Sequence, residues 1–260
     1  MLYSIALLHL NYYISSKSGI MKKPIKVALR IVAVLIILIV LGAGIYLLNF
    51  LKATKAMNPG ATSQINDTVW CIKDRFVNAY IFRGDQGYIL VDAGISKKNF
   101  KTEMGKVGIT PEQITTLLLT HTDGDHIGAT GLMTNAKIYM HRDEEQMIDG
   151  TTGKTKSSKA RWKYGPYILL SDNETLISDG LAIKILHTPG HTPGSSCYII
   201  GNNYLVTGDN LAIVNGEYVH FVEKFNMNTE QQIESIKLLP ATGNFKYILT
   251  AHYGWIKTGI

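Results

Sequence analysis

Residues 115–128 read Thr115-Thr116-Leu117-Leu118-Leu119-Thr120-His121-Thr122-Asp123-Gly124-Asp125-His126-Ile127-Gly128. A short apolar and β-branched run stops abruptly at a group of histidines and aspartates: His121, Asp123, Asp125 and His126. Such a run, bounded by turn signals, is a buried strand, and a loop at its C-terminal end can fold these side chains onto one point. Imidazole nitrogen and carboxylate oxygen are the donors that hold catalytic zinc, and also manganese or iron. Taken alone, the motif has a second reading, because aspartates next to a glycine also build turns and helix N-caps.

Three later positions favour the metal reading. His191 lies in His187-Thr188-Pro189-Gly190-His191-Thr192-Pro193-Gly194-Ser195, where two Thr-Pro-Gly units force a tight loop after a strand. Asp209 follows the strand Tyr204 to Thr207 through Gly208, and His252 follows the strand Tyr247 to Thr250. Each is just past a strand end, where α/β folds gather their active-site groups. Further strand-like runs cover Val69 to Ile72, Ala79 to Phe82, Tyr88 to Val91, Lys137 to His141, Leu181 to His187 and Ser196 to Ile200. Thr110, Pro111 and Gln113 give a helix-start signal, and Thr229 to Leu239 places Ile233, Ile236 and Leu239 on one helical face behind an Asn228 cap. Strands interleaved with helices imply an α/β fold whose sheets are covered by helices.

The order His-x-Asp-x-Asp-His, then Thr-Pro-Gly-His-Thr-Pro-Gly-Ser, then Gly-Asp, then a last histidine resembles the metallo-β-lactamase fold superfamily of hydrolases. Val77-Asn78-Ala79-Tyr80 and Ile89-Leu90-Val91-Asp92-Ala93-Gly94 match its opening strands, so the resemblance runs from about Val69 to Gly254. It implies a four-layer αββα sandwich with a two-metal site at one edge. By this resemblance His121, Asp123 and His191 hold the first metal, Asp125, His126 and His252 the second, and Asp209 bridges them. Two dications lower the pKa of a shared water towards about 7 and polarise a carbonyl or phosphoryl oxygen. Asp125 is the catalytic candidate, orienting that hydroxide and protonating the leaving group.

Asp123 departs from the commonest family pattern, which has histidine there. A carboxylate makes the first site more oxygen-rich and anionic, which moderates the expected zinc preference towards manganese or iron. Branches resembling this one include competence-type DNA-processing proteins with Asp and flavo-diiron proteins with Glu, whereas zinc β-lactamases usually keep the histidine. The expected function is therefore metal-dependent hydrolysis of an ester, thioester, lactone or related bond in a small molecule by metal-bridging hydroxide. Alternatives are a phosphodiesterase or nuclease, then a β-lactamase, then a non-catalytic metal-dependent binding protein; nucleic acid is not the expected partner.

Other candidates read as support. His187 is expected at a strand end behind the ligands, His141 as a half-exposed structural histidine, and Asn78 and Asp92 as braces for loops beside the metal loop. His220 sits in a stretch, Asn215 to Lys224, with no assignable element. Cys71 and Cys197 lie in apolar runs and read as buried small hydrophobes. Lys154, Lys156, Lys159, Arg161 and Lys163, interleaved with Trp162, Tyr164 and Tyr167, read as a solvated loop, or else as a cationic cover for an anionic substrate or lipid headgroup.

The chain of 260 residues has 46% hydrophobic content and a formal charge of +6, which excludes a disordered chain. The charge is uneven. Residues 1–55 hold seven cations and no acid, leaving 19 cations against 20 acids in the remainder, so overall basicity says nothing about the substrate. Ile31 to Leu48 is an uninterrupted apolar run with no polar face, about long enough to cross a bilayer. A signal peptide's apolar region is shorter, whereas this run is long and continues through Tyr46 to Leu48, which favours an uncleaved anchor. The expected organisation is a cytoplasmic segment at 1–26, a transmembrane helix at 27–50, a linker at 51–66 and a hydrolase domain at 67–260. Cations before the span outnumber those just after it, which places the domain outside the cytoplasmic membrane. Met21-Lys22-Lys23 also reads as a translation start, making 1–20 an upstream extension; a peptide from that stretch in N-terminal mass spectrometry excludes this.

Overall fold

The structure, a computed structural model, describes Tyr12 and residues 23–154, 162–240 and 244–259. Residues 1–11, the Met21 start and Lys156, Lys159 and Arg161 lie outside these. The chain divides after Ala56 into two compact units.

The first unit contains helix α1, Lys23–Ala56. Most of its Ile, Val and Leu side chains between Ile25 and Leu51 are exposed. Its length and composition suffice to cross a membrane. It runs past the expected end of the span, so the first part of the expected linker is helical.

In the second unit two mixed sheets face each other. The first has seven strands in sequence order: β1 (Ser63–Asn66), β2 (Val69–Asp74), β3 (Val77–Arg83), β4 (Tyr88–Val91), β5 (Ile114–Leu118), β6 (Lys137–His141) and β7 (Ile168–Leu170). The second has six: β8 (Thr175–Ser178), β9 (Leu181–His187), β10 (Ser196–Ile200), β11 (Tyr204–Gly208), β14 (Tyr247–Thr250) and β15 (Trp255–Lys257), in the order β15-β14-β11-β10-β9-β8. A separate hairpin pairs β12 (Leu211–Val214) with β13 (Glu217–His220).

Side-chain alternation explains the layers. In β2, β3 and β4 the residues Trp70, Ile72, Ala79, Ile81 and Leu90 turn to one face, where they pack with Phe100 and Met104 of helix α2, Lys97–Lys106. Their neighbours Val69, Cys71, Tyr80, Phe82, Ile89 and Val91 turn to the other, against Ile183, Ile185, Tyr198, Ile200 and Val206 of the second sheet. Cys197 and Leu205 occupy that sheet's far face with Phe245, Leu186, Ile199 and Leu239. A period of two with both faces apolar gives strands buried on both sides, and the result is the expected αββα sandwich. Tyrosine hydroxyls tie the sheets across the middle: Tyr80 donates to Thr250 O (2.8 Å) and Tyr198 to Leu119 O (2.9 Å).

Some local expectations need correction. The Thr110 signal starts only a 3-10 turn, Pro111–Gln113, because Ile114 enters β5 at once; Gln113 still caps Thr110 N (2.8 Å). In helix α4, Thr229–Lys237, Asn228 caps Gln231 N as expected, yet its most buried side chains are Gln232 and Ser235 rather than the isoleucines. They face inward because they bond Asp209 O (2.9 Å) and Pro189 O (2.7 Å). Residues 217–220, unassigned in sequence, are β13, and Ser63–Asn66 within the expected linker are β1.

Candidate metal centre

Four strands of the two sheets end at one edge, and the loops there carry all seven sequence candidates. His121 follows β5, and Asp123 precedes the one-turn helix α3, Gly124–Ile127, which holds Asp125 and His126. Asp123 occupies the N-cap position, but its side chain makes no capping bond, which removes the N-cap reading. His191 hangs in the β9–β10 loop, Asp209 leaves β11 beyond Gly208, and His252 follows β14. Gly190 has φ +135°, and a Cβ there meets Gln232 N at 2.3 Å, so the loop around His191 needs glycine at that point.

Every imidazole is held by its Nδ1. His126 Nδ1 is 2.9 Å from Asp92 Oδ2, His191 Nδ1 is 3.0 Å from Asn226 Oδ1, His252 Nδ1 is 2.7 Å from Phe76 O, and His121 Nδ1 is 3.1 Å from Thr120 Oγ1. A metal ligand needs the tautomer in which Nδ1 donates to these oxygens and Nε2 presents its lone pair inward. His121 Nε2 lies 3.6 Å from Asp123 Oδ2, and His191 Nε2 lies 3.1 Å from the same oxygen. His126 Nε2 and His252 Nε2 lie 3.9 and 3.5 Å from Asp125 Oδ2. Asp209 faces both groups: Oδ2 is 3.3 Å from His191 Nε2, and Oδ1 is 3.3 Å from His126 Nε2 and 3.2 Å from His252 Nε2.

The chemistry of these donors fits divalent ions. His121 Nε2, His126 Nε2 and Asp209 Oδ1 are buried with no hydrogen-bond partner, a costly arrangement unless another group satisfies them. Two donor groups, His121-Asp123-His191 and Asp125-His126-His252, each gather within metal-binding reach. Burial, reinforced by His126, pushes His121 down to about 4, so it presents a neutral lone pair at pH 7. Burial works against Asp209 ionising, but His252, His126 and His191 hold it well below the carboxylate range. Burial is likewise outweighed at His126, which Asp209, Asp92 and Asp125 raise. The pocket thus favours positive charge.

Several supporting residues escaped the sequence reading. Glu144 is fully buried and accepts from Thr122 N (2.8 Å), Thr122 Oγ1 (2.7 Å), Thr192 Oγ1 (2.6 Å) and Gly194 N (3.1 Å), stapling the His121 loop to the His191 loop. Burial pushes its carboxyl up against the pull of those bonds. Nothing in the acidic run Asp143-Glu144-Glu145 marks the middle residue as buried. Phe76 and Phe221 stack on His252 at 5.9 and 5.2 Å. Lys154, read as part of a loop, bonds Asp123 Oδ2, His191 Nε2 (2.9 Å) and Phe225 O (2.8 Å). Trp162, Tyr164 and Tyr167 pack on the first core rather than lying in solvent.

His141 and His187 stack at 3.9 Å beside Asp143, away from the main group. His141 is buried rather than half-exposed. His187 Nε2 is committed to Pro193 O (2.8 Å) and His141 Nδ1 to Asp143 N (3.2 Å), so this cluster is a structural brace. His220 Nδ1 bonds Phe221 O at 2.8 Å, apart from the donors. Asn78 clasps Gly60 through both amide atoms at 2.8 Å.

The family model of the metallo-beta-lactamase superfamily matches residues 72–252. The chain belongs to this superfamily. A superfamily hydrolase of this kind binds divalent metal, and its relatives agree with that class. The chain is 28% identical over 140 residues to the probable metallo-hydrolase YqgX of Bacillus subtilis, covering 51% of this chain and 64% of that protein. It is 24% identical over 187 residues to an N-acyl homoserine lactonase from a Bacillus species, covering 61% and 67%. A solved B3 metallo-beta-lactamase with an active-site glutamic acid superposes with a TM-score of 0.62 at 15% identity, covering 82% of this chain and 87% of that one. That likeness is one of fold.

Proposed function

We propose that this superfamily member is a dinuclear metal-dependent hydrolase of a small carboxylic ester, thioester or lactone, anchored to a membrane by α1. The observation that carries the metal reading is the convergence of inward Nε2 atoms and carboxylates, several of them buried and unpartnered. His121, Asp123 and His191 would hold one ion, Asp125, His126 and His252 the other, with Asp209 shared. Zinc suits four imidazoles, and Asp123 widens the choice to manganese or iron. When bound, such ions lower the pKa of water and polarise a carbonyl oxygen.

The chain's own residues then divide the work. Asp125, a quarter exposed, is the carboxylate placed to exchange protons with a substrate. Phe221 lies against both His191 (5.4 Å) and His252 (5.2 Å), and with half-buried Phe225 and Tyr253 it makes an aromatic wall beside the donors. Such a wall suits an apolar acyl group. The similarity to a lactonase supports the same bond class. Lys154 supports a second reading, a phosphodiester substrate, since an ammonium beside the donors attracts an anion.

Residues 27–50 are proposed as the span, with 1–26 cytoplasmic, 51–66 as the connection and 67–260 as the hydrolase outside. The test is hydrolysis of a thioester, a lactone, a phosphodiester and a cephalosporin by the full chain in detergent, with and without chelator. Chelator-sensitive turnover of the thioester or lactone, lost in Asp125→Ala, supports the proposal; turnover of the phosphodiester alone moves the assignment to the second reading.

A further inference from the structure

Lys154 reaches into the carboxylate cluster at a particular place. Its Nζ donates to Asp123 Oδ2, to His191 Nε2 (2.9 Å) and to Phe225 O (2.8 Å). Two of these three acceptors belong to the first donor group. The third is a main-chain carbonyl of the 3-10 turn Glu223–Phe225. The side chain is 26% exposed, so the head group has a route to solvent.

The consequence follows from orbital count. A neutral imidazole with Nδ1–H bonded to Asn226 Oδ1 has one lone pair left, on Nε2. That pair accepts either the Lys154 proton or a metal, never both. Lys154 bonds nothing in the second donor group, where His126 Nε2 is unpartnered and His252 Nε2 faces the carboxylates of Asp125 and Asp209.

We propose that Lys154 is an internal competitor for the first metal position, so that the Asp125-His126-His252 position fills first and the Asp123-His191 position fills only as the ammonium withdraws. Lys154 then sets how many ions the protein holds at a given metal concentration. Once withdrawn, its charge lies at the mouth of the site, where it can meet a substrate carboxylate or oxyanion. The inference rests on the proposed metal centre.

The experiment is a calorimetric titration of zinc into chelator-treated full chain in detergent, comparing wild type with Lys154→Met and Lys154→Gln. Both variants keep a long side chain and remove the ammonium; thermal unfolding checks that they fold. The wild type should bind one ion tightly and a second more weakly. Either variant should tighten the second constant by about 10- to 100-fold, the usual effect of a group that acts on a ligand, and leave the first unchanged. As a second readout, amine labelling of Lys154 followed by peptide mass spectrometry should stay low through the first equivalent of zinc and rise with the second. Variant titrations that superimpose on the wild type, with one ion or two, overturn the competition and leave the metal centre standing. Labelling that ignores zinc does the same. No zinc binding by any of the three chains overturns the centre as well.

Discussion

Replacing Asp92 with asparagine isolates the part of the site that controls tautomer. Asp92 accepts three bonds: from Thr120 N to Oδ1 (2.9 Å), from the Thr120 hydroxyl to Oδ2 (2.8 Å) and from His126 Nδ1 to Oδ2 (2.9 Å). Asparagine can keep the first, but its amide group brings a donor to face the donors at Oδ2. The Thr120 hydroxyl can rotate its hydrogen away from that donor. His126 has no such escape, and it relieves the clash by moving its proton to Nε2, which removes the lone pair aimed at Asp209 and Asp125. Losing a group that orients a ligand costs about 10- to 100-fold in metal affinity. By linkage, the extra stability conferred by a fixed excess of zinc then falls by about 1.4–2.7 kcal/mol. For a domain of roughly 200 residues that is about 3–10 °C of the zinc-induced rise in melting temperature. Differential scanning calorimetry of wild type and Asp92→Asn, each with and without zinc, measures it. Equal zinc-induced shifts in two folded proteins refute the reasoning.

Two further predictions concern the frame. Phe221→Ala removes a fully buried ring that packs on His191 and His252, and should cost about 3–5 kcal/mol in urea unfolding. For His141, burial and then the neighbouring His187 push the pKa down to about 4. Above pH 6.5 the group is neutral in both folded and unfolded chains and contributes nothing to the pH slope. Between 6.5 and about 4 the unfolded chain takes up a proton that the folded one refuses, so stability falls as pH falls. His141's share of the loss from pH 7 to 5 should be about 1–2 kcal/mol, and His141→Gln, which keeps an acceptor for Asp143 N, should remove that share.

What sequence could reveal here depended on how local the signal was. The strands that end at His121, Asp209 and His252 were readable because each is a compact apolar run closed by a turn residue. The donors were readable because strand ends at one sheet edge must meet. Strands β1, β7, β8, β12, β13 and β15 were missed, since three or four half-buried residues carry no distinct period. Gln232 and Ser235 on α4 escape a reading by apolarity, because their bonds to Asp209 O and Pro189 O decide which face turns inward. Glu144 and Lys154 are charged residues whose partners lie 22 to 71 positions away. No local pattern distinguishes them from solvated neighbours, and only the closed loop edge does.

The central claim is that seven side chains from four loops hold metal. Equilibrium dialysis of the full chain against saturating zinc, followed by elemental analysis, tests it most directly. The account predicts two ions per wild-type chain and fewer in Asp209→Ala, whose carboxylate faces both donor groups. A folded wild-type chain that retains no zinc, manganese or iron under the same conditions contradicts it.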